Sequence, residues 1–153
     1  MSGLTHAKSF RELVVYQKAR ALSRDIFALT RRFPREGMFS LTDQIRRSSR
    51  AVGAQIAEAW AKRRYEAHFI SKLTDADAEQ QETQHWLETA LNCEYISKEE
   101  ADVFIEKYAE VGRLLGGMMA KAGLFCNPEA LSTHEEQAPY FTAPDDRTLN
   151  TEN

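Results

Sequence analysis

With 153 residues, 42% of them apolar and 10% aromatic, the chain has enough hydrophobic material for one domain with a real core, which excludes wholesale disorder. Seven Gly and four Pro are few, arguing against a turn-rich β-fold, and Cys93 and Cys126 show no CxxC or Cys/His spacing, so free thiols in a reducing compartment are expected. The net charge of −3 hides a split: residues through Tyr65 sum to +9 and residues from Glu66 onward to −12.

The first predicted helix spans 10–33, with apolar residues at Phe10, Leu13, Val14, Ala21, Leu22, Ile26, Leu29 and Phe33. Pro34 stops it, and Pro-Arg-Glu-Gly connects to a second helix, with Ser40 as N-cap and Asp43 three residues on. The buried stripe of that helix is Leu41, Ile45, Ser48/Ser49, Val52, Ile56 and Trp60. A break within Lys62–Tyr65 separates it from a third helix over 66–94. That helix carries Phe69, Ile70, Leu73, Ala76, Trp86, Leu87 and Leu91. Its middle is polar, so Gln80, Thr83 or Gln84 either forms a buried hydrogen-bonded layer or faces an aqueous or oligomeric surface.

Ser97 and Glu100 form a capping box for the fourth helix, whose stripe is Ala101, Phe104, Ile105, Tyr108, Val111, Leu115 and Met119. Gly116-Gly117 predicts local fraying or a close helix contact, and Gly123 is the expected stop. The expected organisation is a flexible N-terminus (1–9), an all-α, antiparallel up-down-up-down four-helix bundle (10–123) and a disordered acidic C-terminal tail (124–153), in which Leu131, Tyr140 and Phe141 touch the bundle. The N-terminus has no basic-then-apolar leader pattern, and no apolar run approaches the ~18 residues of a membrane span. A cytoplasmic protein is expected.

Two constellations bear on chemistry. Arg20, Arg24, Arg31 and Arg32 lie on the first helix; Arg46, Arg47 and Arg50, then Lys62, Arg63 and Arg64, follow on the second. At 100° per residue Arg46, Arg50 and Arg64 share a flank with the small residues Gly53, Ala57 and Ala61. Such a flank suits close approach by a neighbouring helix, another subunit or a phosphate backbone. The arginines are either a nucleic-acid surface, with Arg24, Arg31, Arg32, Arg46, Arg47, Arg50, Lys62, Arg63 and Arg64 as candidates, or a solvated face paired with acidic helices. No aromatic stacking platform is evident among them.

The acidic constellation is Asp75, Asp77, Glu79, Glu82 and His85. Glu82-x-x-His85 has the di-iron spacing, but no second E-x-x-H exists, so no metal and no cofactor are expected. No nucleophile–base pair or phosphate-binding glycine loop supports an enzyme.

Several strings resemble one family: Phe10-Arg-Glu-Leu13-Val-Val-Tyr16-Gln17-Lys18-Ala19, Leu29-Thr-Arg-Arg-Phe33-Pro34, Leu41-Thr42-x-Gln44-Ile45-Arg46-Arg47 and Gln55-Ile56-Ala57-Glu58. Ala76-x-Ala78-Glu79-x-x-Glu82, Leu87 and Tyr95-Ile96-Ser97 extend the match. The chain resembles the four-helix-bundle proteins encoded in intervening sequences of bacterial 23S rRNA genes, which include the accessory variability proteins of diversity-generating retroelements. It departs from the pattern in helix two, where Arg50-Ala-Val-Gly-Ala-Gln55 replaces a proline-containing segment.

The resemblance implies a non-enzymatic homopentameric ring with a positively charged surface, which in the retroelement branch binds RNA and a reverse transcriptase. It implicates Arg46 and Arg47 at that surface, with Gln44 and Glu58 as structural or interface residues. A ring joins two different patches. The basic face, with Gly53 and Ala57, then meets the acidic face of Asp75, Glu79 and Glu82, and the leftover arginines serve RNA. The alternative is a purely structural or protein-interaction homo-oligomer in which these faces pair between subunits.

Overall fold

The structure, a computed structural model, describes residues 7–126. Four long helices, α1 (Val14–Thr30), α2 (Asp43–Ala61), α3 (Glu66–Asn92) and α4 (Lys98–Ala120), are followed by a short α5 (Ala122–Cys126). Among helices adjacent in the bundle, contacts are most extensive between α2 and α3, then α3 and α4, then α1 and α2, then α1 and α4. The chain therefore runs up, down, up and down around one core, as the periodicity predicts. Ile26 of α1, Ile45, Val52 and Ile56 of α2, Phe69, Leu73 and Leu87 of α3, and Tyr108, Val111, Leu115 and Met118 of α4 are buried in it.

Helix ends depart from expectation where backbone geometry overrides side-chain signals. The first helix does not run unbroken from Phe10. Ser9 accepts from the Arg11 N–H to cap a 3₁₀ turn at Phe10–Glu12, and extended Leu13 breaks the chain before α1. Ala7 is buried and Ser9 is a cap, so the flexible N-terminus does not reach residue 9; residues 1–6 lie outside the described residues.

Ser40 is not an N-cap. The chain passes from a 3₁₀ turn at Arg35–Gly37 through a π-helical turn at Met38–Thr42 straight into α2. The Asp43 N–H is bonded to the Met38 carbonyl, so Ser40 already sits inside a helical turn. Gly37 admits the Tyr95 ring, whose hydroxyl would lie 3.2 Å from an added Cβ.

α3 begins at Glu66 as predicted and ends in a Schellman motif. The Tyr95 N–H bonds the Ala90 carbonyl, and the Glu94 N–H bonds the Leu91 carbonyl. The C′ position with positive φ is occupied by Glu94 (φ 61°) rather than glycine. Ser97 and Glu100 form the complete capping box of α4.

Gly116 and Gly117 lie within α4 without interrupting it, and an added Cβ at Gly116 would meet nothing. The close helix contact is instead at Gly112, where a Cβ would stand 2.6 Å from the Gln80 amide nitrogen. Gly123 is not a stop either. α4 ends at Ala120, and the chain continues into α5, whose Phe125 stacks on Phe69 at 5.8 Å. Burying Phe125 contributes about 2 kcal/mol, enough to hold a short helix past the glycine. The bundle therefore extends to Cys126, and the tail expected from 124 onward lies outside the described residues beyond that point.

The polar middle of α3 is a buried layer, the first of the two predicted alternatives. Gln80 and Thr83 are buried. The Thr83 hydroxyl donates to Ser48 Oγ (2.8 Å), Gln80 Nε2 donates to Asp77 (2.8 Å), and Gln84 Nε2 donates to Gln80 Oε1 (2.7 Å). Fully buried Tyr108 has a hydroxyl without a hydrogen-bond partner among the described residues. Burial and then Asp25 push its phenol well above the ordinary range; the nearby Ser49 hydroxyl opposes that shift without meeting hydrogen-bond geometry.

Candidate nucleic-acid interface

The structure divides the basic residues into those neutralised within the chain and those left over. Arg32 pairs with Glu100, Arg47 with Glu82 and, at 3.5 Å, with Glu79, and Lys18 with Glu110 at 2.8 Å. Lys18 of α1, Arg32 in the turn after it and Arg47 of α2 thus each reach across to α3 or α4. Glu100 is held below the usual carboxylate range, first by the Ser97 backbone N–H and then by Arg32. Exposed pairs of this kind contribute at most about 1 kcal/mol each. Their main effect is on charge: Arg32 and Arg47 are occupied. The expected interface acids are occupied as well, because Glu79 and Glu82 hold Arg47, while Glu58 and Asp75 hold Lys72 at 3.2 and 3.5 Å. Lys72 is raised accordingly, chiefly by Glu58. Gln44, the remaining polar interface candidate, is half-buried in the first turn of α2.

A second set of arginines has no carboxylate within ion-pair distance among the described residues. Phe27 of α1 lies beneath the guanidinium groups of Arg46 (4.6 Å from the ring centroid), Arg31 (4.9 Å) and Arg50 (5.6 Å). Arg46 is fixed further by donating from Nε to Thr30 Oγ1 (2.7 Å), and that threonine is anchored to the Ile26 carbonyl. Arg24 lines the same depression with Ser23, Phe27 and Arg50. An aromatic ring thus does sit among the arginines, contrary to the sequence reading. Its signal was present on one helix face: Phe27 follows Arg24 by three residues and precedes Arg31 by four.

This depression adjoins a second along the α1–α2 seam, the two sharing Ser23 and Arg50. Their volumes are about 420 and 270 Å³. The second is floored by Gly53, Ala54 and Ala57 and walled by Phe10, Tyr16 and Arg20. The Arg20 guanidinium donates to the Tyr16 hydroxyl (3.3 Å), and the Tyr16 ring lies 3.5 Å from where a Gly53 Cβ would be. The small-residue flank therefore admits a neighbouring helix, α1, while leaving an open groove lined by arginines.

Lys62, Arg63 and Arg64 do not continue that flank, because α2 ends at Ala61 and the chain turns. Arg63 folds back on Trp60, 3.5 Å from its ring centroid, and donates to the Trp60 carbonyl; burial lowers its pKa, opposed by Cys126. Arg64 lies over Tyr65 (5.8 Å). Sequence phasing thus brought Arg46 and Arg50 together correctly and misplaced Arg64.

Glu82 and His85 do not converge on a ligand site. Glu82 takes Arg47 and the Trp86 indole N–H, while exposed His85 packs against the Trp86 ring. Among the described residues no group of three His, Cys, Asp or Glu side chains is placed to hold a metal. No helix among them is long and apolar enough to cross a membrane, and both cysteines are free.

Residues 11–117 match the family described as 23S rRNA-intervening sequence protein. The chain belongs to that family. A crystal structure of a protein of unknown function from the S23 ribosomal protein family of Bacteroides thetaiotaomicron superposes with a TM-score of 0.64 at 32% identity, covering 70% of this chain and 96% of the other. No curated protein matches the chain. In this intervening-sequence family member, Arg24, Arg31, Arg46 and Arg50 lie together at the α1–α2 face with no carboxylate within ion-pair distance among the described residues.

Proposed function

We propose that this intervening-sequence protein is a non-enzymatic accessory protein that assembles into a homo-oligomeric ring, a pentamer by its resemblance, and binds nucleic acid, RNA in particular, through the α1–α2 arginine face. The observation that carries the reading is the gathering of Arg24, Arg31, Arg46 and Arg50 around Phe27 with no carboxylate partner among the described residues. Two of these cations 10 Å apart repel by about 0.4 kcal/mol even in water. Cation–π contacts with Phe27 offset part of that, at about 0.5–1 kcal/mol each when exposed. A polyanion removes the repulsion and gains from counterion release. The family description refers to 23S rRNA, which is consistent with a ribonucleoprotein setting; a reverse transcriptase is the protein partner that the retroelement branch suggests.

Assembly has its own support. Phe39 is 80% exposed on the turn entering α2, and Val103 is 53% exposed on α4. A subunit contact at either position would take that side chain out of water. The arginines already paired within the chain weaken the alternative in which the basic and acidic faces pair mainly between subunits.

Salt titration tests the proposal. Binding of labelled RNA by fluorescence anisotropy should weaken steeply between 50 and 200 mM salt, with each lost phosphate contact reducing the log–log slope by about 0.7 for a single strand. Arg24→Ala with Arg50→Ala should flatten the slope by about 1.4, whereas Arg47→Ala, whose charge is spent on Glu79 and Glu82, should leave it within error. Light scattering on the same samples reports the ring. Absence of RNA binding at low salt, or equal effects of Arg47 and Arg50 substitution, refutes the assignment.

A further inference from the structure

The groove is built for a particular form of polyanion. Its two depressions share Ser23 and Arg50, so they lie side by side along the α1–α2 seam, and a strand lying across both makes one channel of them. Aromatic rings mark both ends: Phe10 and Tyr16, packed edge to face at 4.8 Å, and Phe27. Tyr16 and Phe27 lie on the same helix three turns apart, about 16 Å along the axis. Arg20, Arg24 and Arg50 line the stretch between and beside them, and the floor is the side-chain-poor Gly53, Ala54 and Ala57.

Resting on the nucleic-acid reading above, we infer that this channel holds a single-stranded segment, with its phosphates on the arginines and an unpaired base on Phe27. Three observations favour a single strand over a duplex. The rings are recessed within a concave seam, and a duplex offers its phosphates outward with its bases stacked inside, so no base reaches Phe27. The ring positions lie about 16 Å apart on one helix face, far enough for different bases of one unpaired strand to meet the two ends of the seam. Basic grooves with interspersed aromatic rings are the general arrangement by which proteins hold single strands without reading sequence. The guanidinium groups now over Phe27 are long, exposed or half-exposed side chains that reach phosphate by rotating off the ring as a base replaces them. Arg46 is the exception: its Nε is tied to Thr30, so it stays against the ring, and the base takes the space that Arg31 and Arg50 vacate.

The experiment uses the full chain, a fluorescein-labelled 12-nucleotide RNA without self-complementarity, and the same RNA annealed to its complement. Anisotropy at 50 mM salt is measured for wild type, Phe27→Leu and Phe27→Trp. Losing one stacked base should weaken single-strand binding about 10-fold in Phe27→Leu and change duplex binding less than about 2-fold. Phe27→Trp should restore single-strand affinity, and its added indole emission should be quenched by the RNA beyond the change seen in wild type. Equal loss on both RNAs in Phe27→Leu, or no rescue and no added quenching in Phe27→Trp, overturns the stacking site and leaves nucleic-acid binding standing. Duplex binding as tight as single-strand binding in wild type overturns the single-strand assignment. If wild type binds neither RNA, the failure belongs to the proposed function itself.

Discussion

Gly112→Ala is a substitution whose sign depends on one partner. In an ordinary helix interior, replacing glycine with alanine stabilises by about 1 kcal/mol. At Gly112 the added Cβ would stand 2.6 Å from Gln80 Nε2 and 3.2 Å from Asp77 Oδ1, so the Gln80 amide must move. That amide is buried, donates to Asp77 at 2.8 Å and accepts from Gln84 at 2.7 Å. Losing both hydrogen bonds costs about 1 kcal/mol each, and leaving the amide unpaired adds about 1 kcal/mol more. The net expectation is a destabilisation of about 2 kcal/mol. With Gln80→Ala already in place, the same Gly112→Ala change meets Asp77 Oδ1 alone, at 3.2 Å, a half-buried carboxylate freed from its Gln80 partner to shift, and should stabilise by up to about 1 kcal/mol, a coupling of up to about 3 kcal/mol. Urea unfolding of the wild type, both single variants and the double variant measures that coupling. Additivity within about 0.5 kcal/mol, or a stabilising Gly112→Ala in the wild-type background, would refute the claim that the Asp77–Gln80–Gln84 layer sets the α3–α4 approach.

Glu94→Gly should stabilise the bundle by about 0.5–1 kcal/mol, raising Tm by about 3 °C, because Glu94 occupies the left-handed C′ position of the Schellman motif at φ 61°; an unchanged or lower Tm in calorimetry speaks against that account. Tyr108→Phe removes a buried hydroxyl without a partner and should be neutral or stabilising by about 1 kcal/mol at pH 7. Tyr108 also has a pH signature. A folded-state pKa raised above the unfolded value of about 10 leaves stability intact below pH 10 and removes it as pH rises further, so the Phe variant should lose less stability between about pH 10 and 12. A parallel loss in both proteins, followed by circular dichroism, would assign the alkaline sensitivity elsewhere.

Where a signal belongs to one helix, the chain displays it openly. Ile45, Val52 and Ile56 recur at helical spacing because α2 buries a single face, and Ser97 with Glu100 closes a capping box within one turn. Ser40 and Gly123 carried local signals too, and both were overridden. Entry into α2 follows the π-helical turn at Met38–Thr42, and α5 is held by Phe125 against Phe69, a residue 56 positions earlier in the chain. Propensity of about 1 kcal/mol loses to a buried aromatic ring.

The candidate site shows the same boundary. The composition of the basic half, the all-α periodicity and the grouping of Arg46 with Arg50 were determined by the sequence alone, since each depends on residue type or on spacing along one helix. Which arginines are free was decided only by tertiary structure. Arg32 and Arg47 meet Glu100, Glu79 and Glu82 across the bundle, while Arg31, Arg46 and Arg50 converge on Phe27 from two helices. Charge pairing depends on distance in space, and between residues tens of positions apart that distance exists only once the helices have packed.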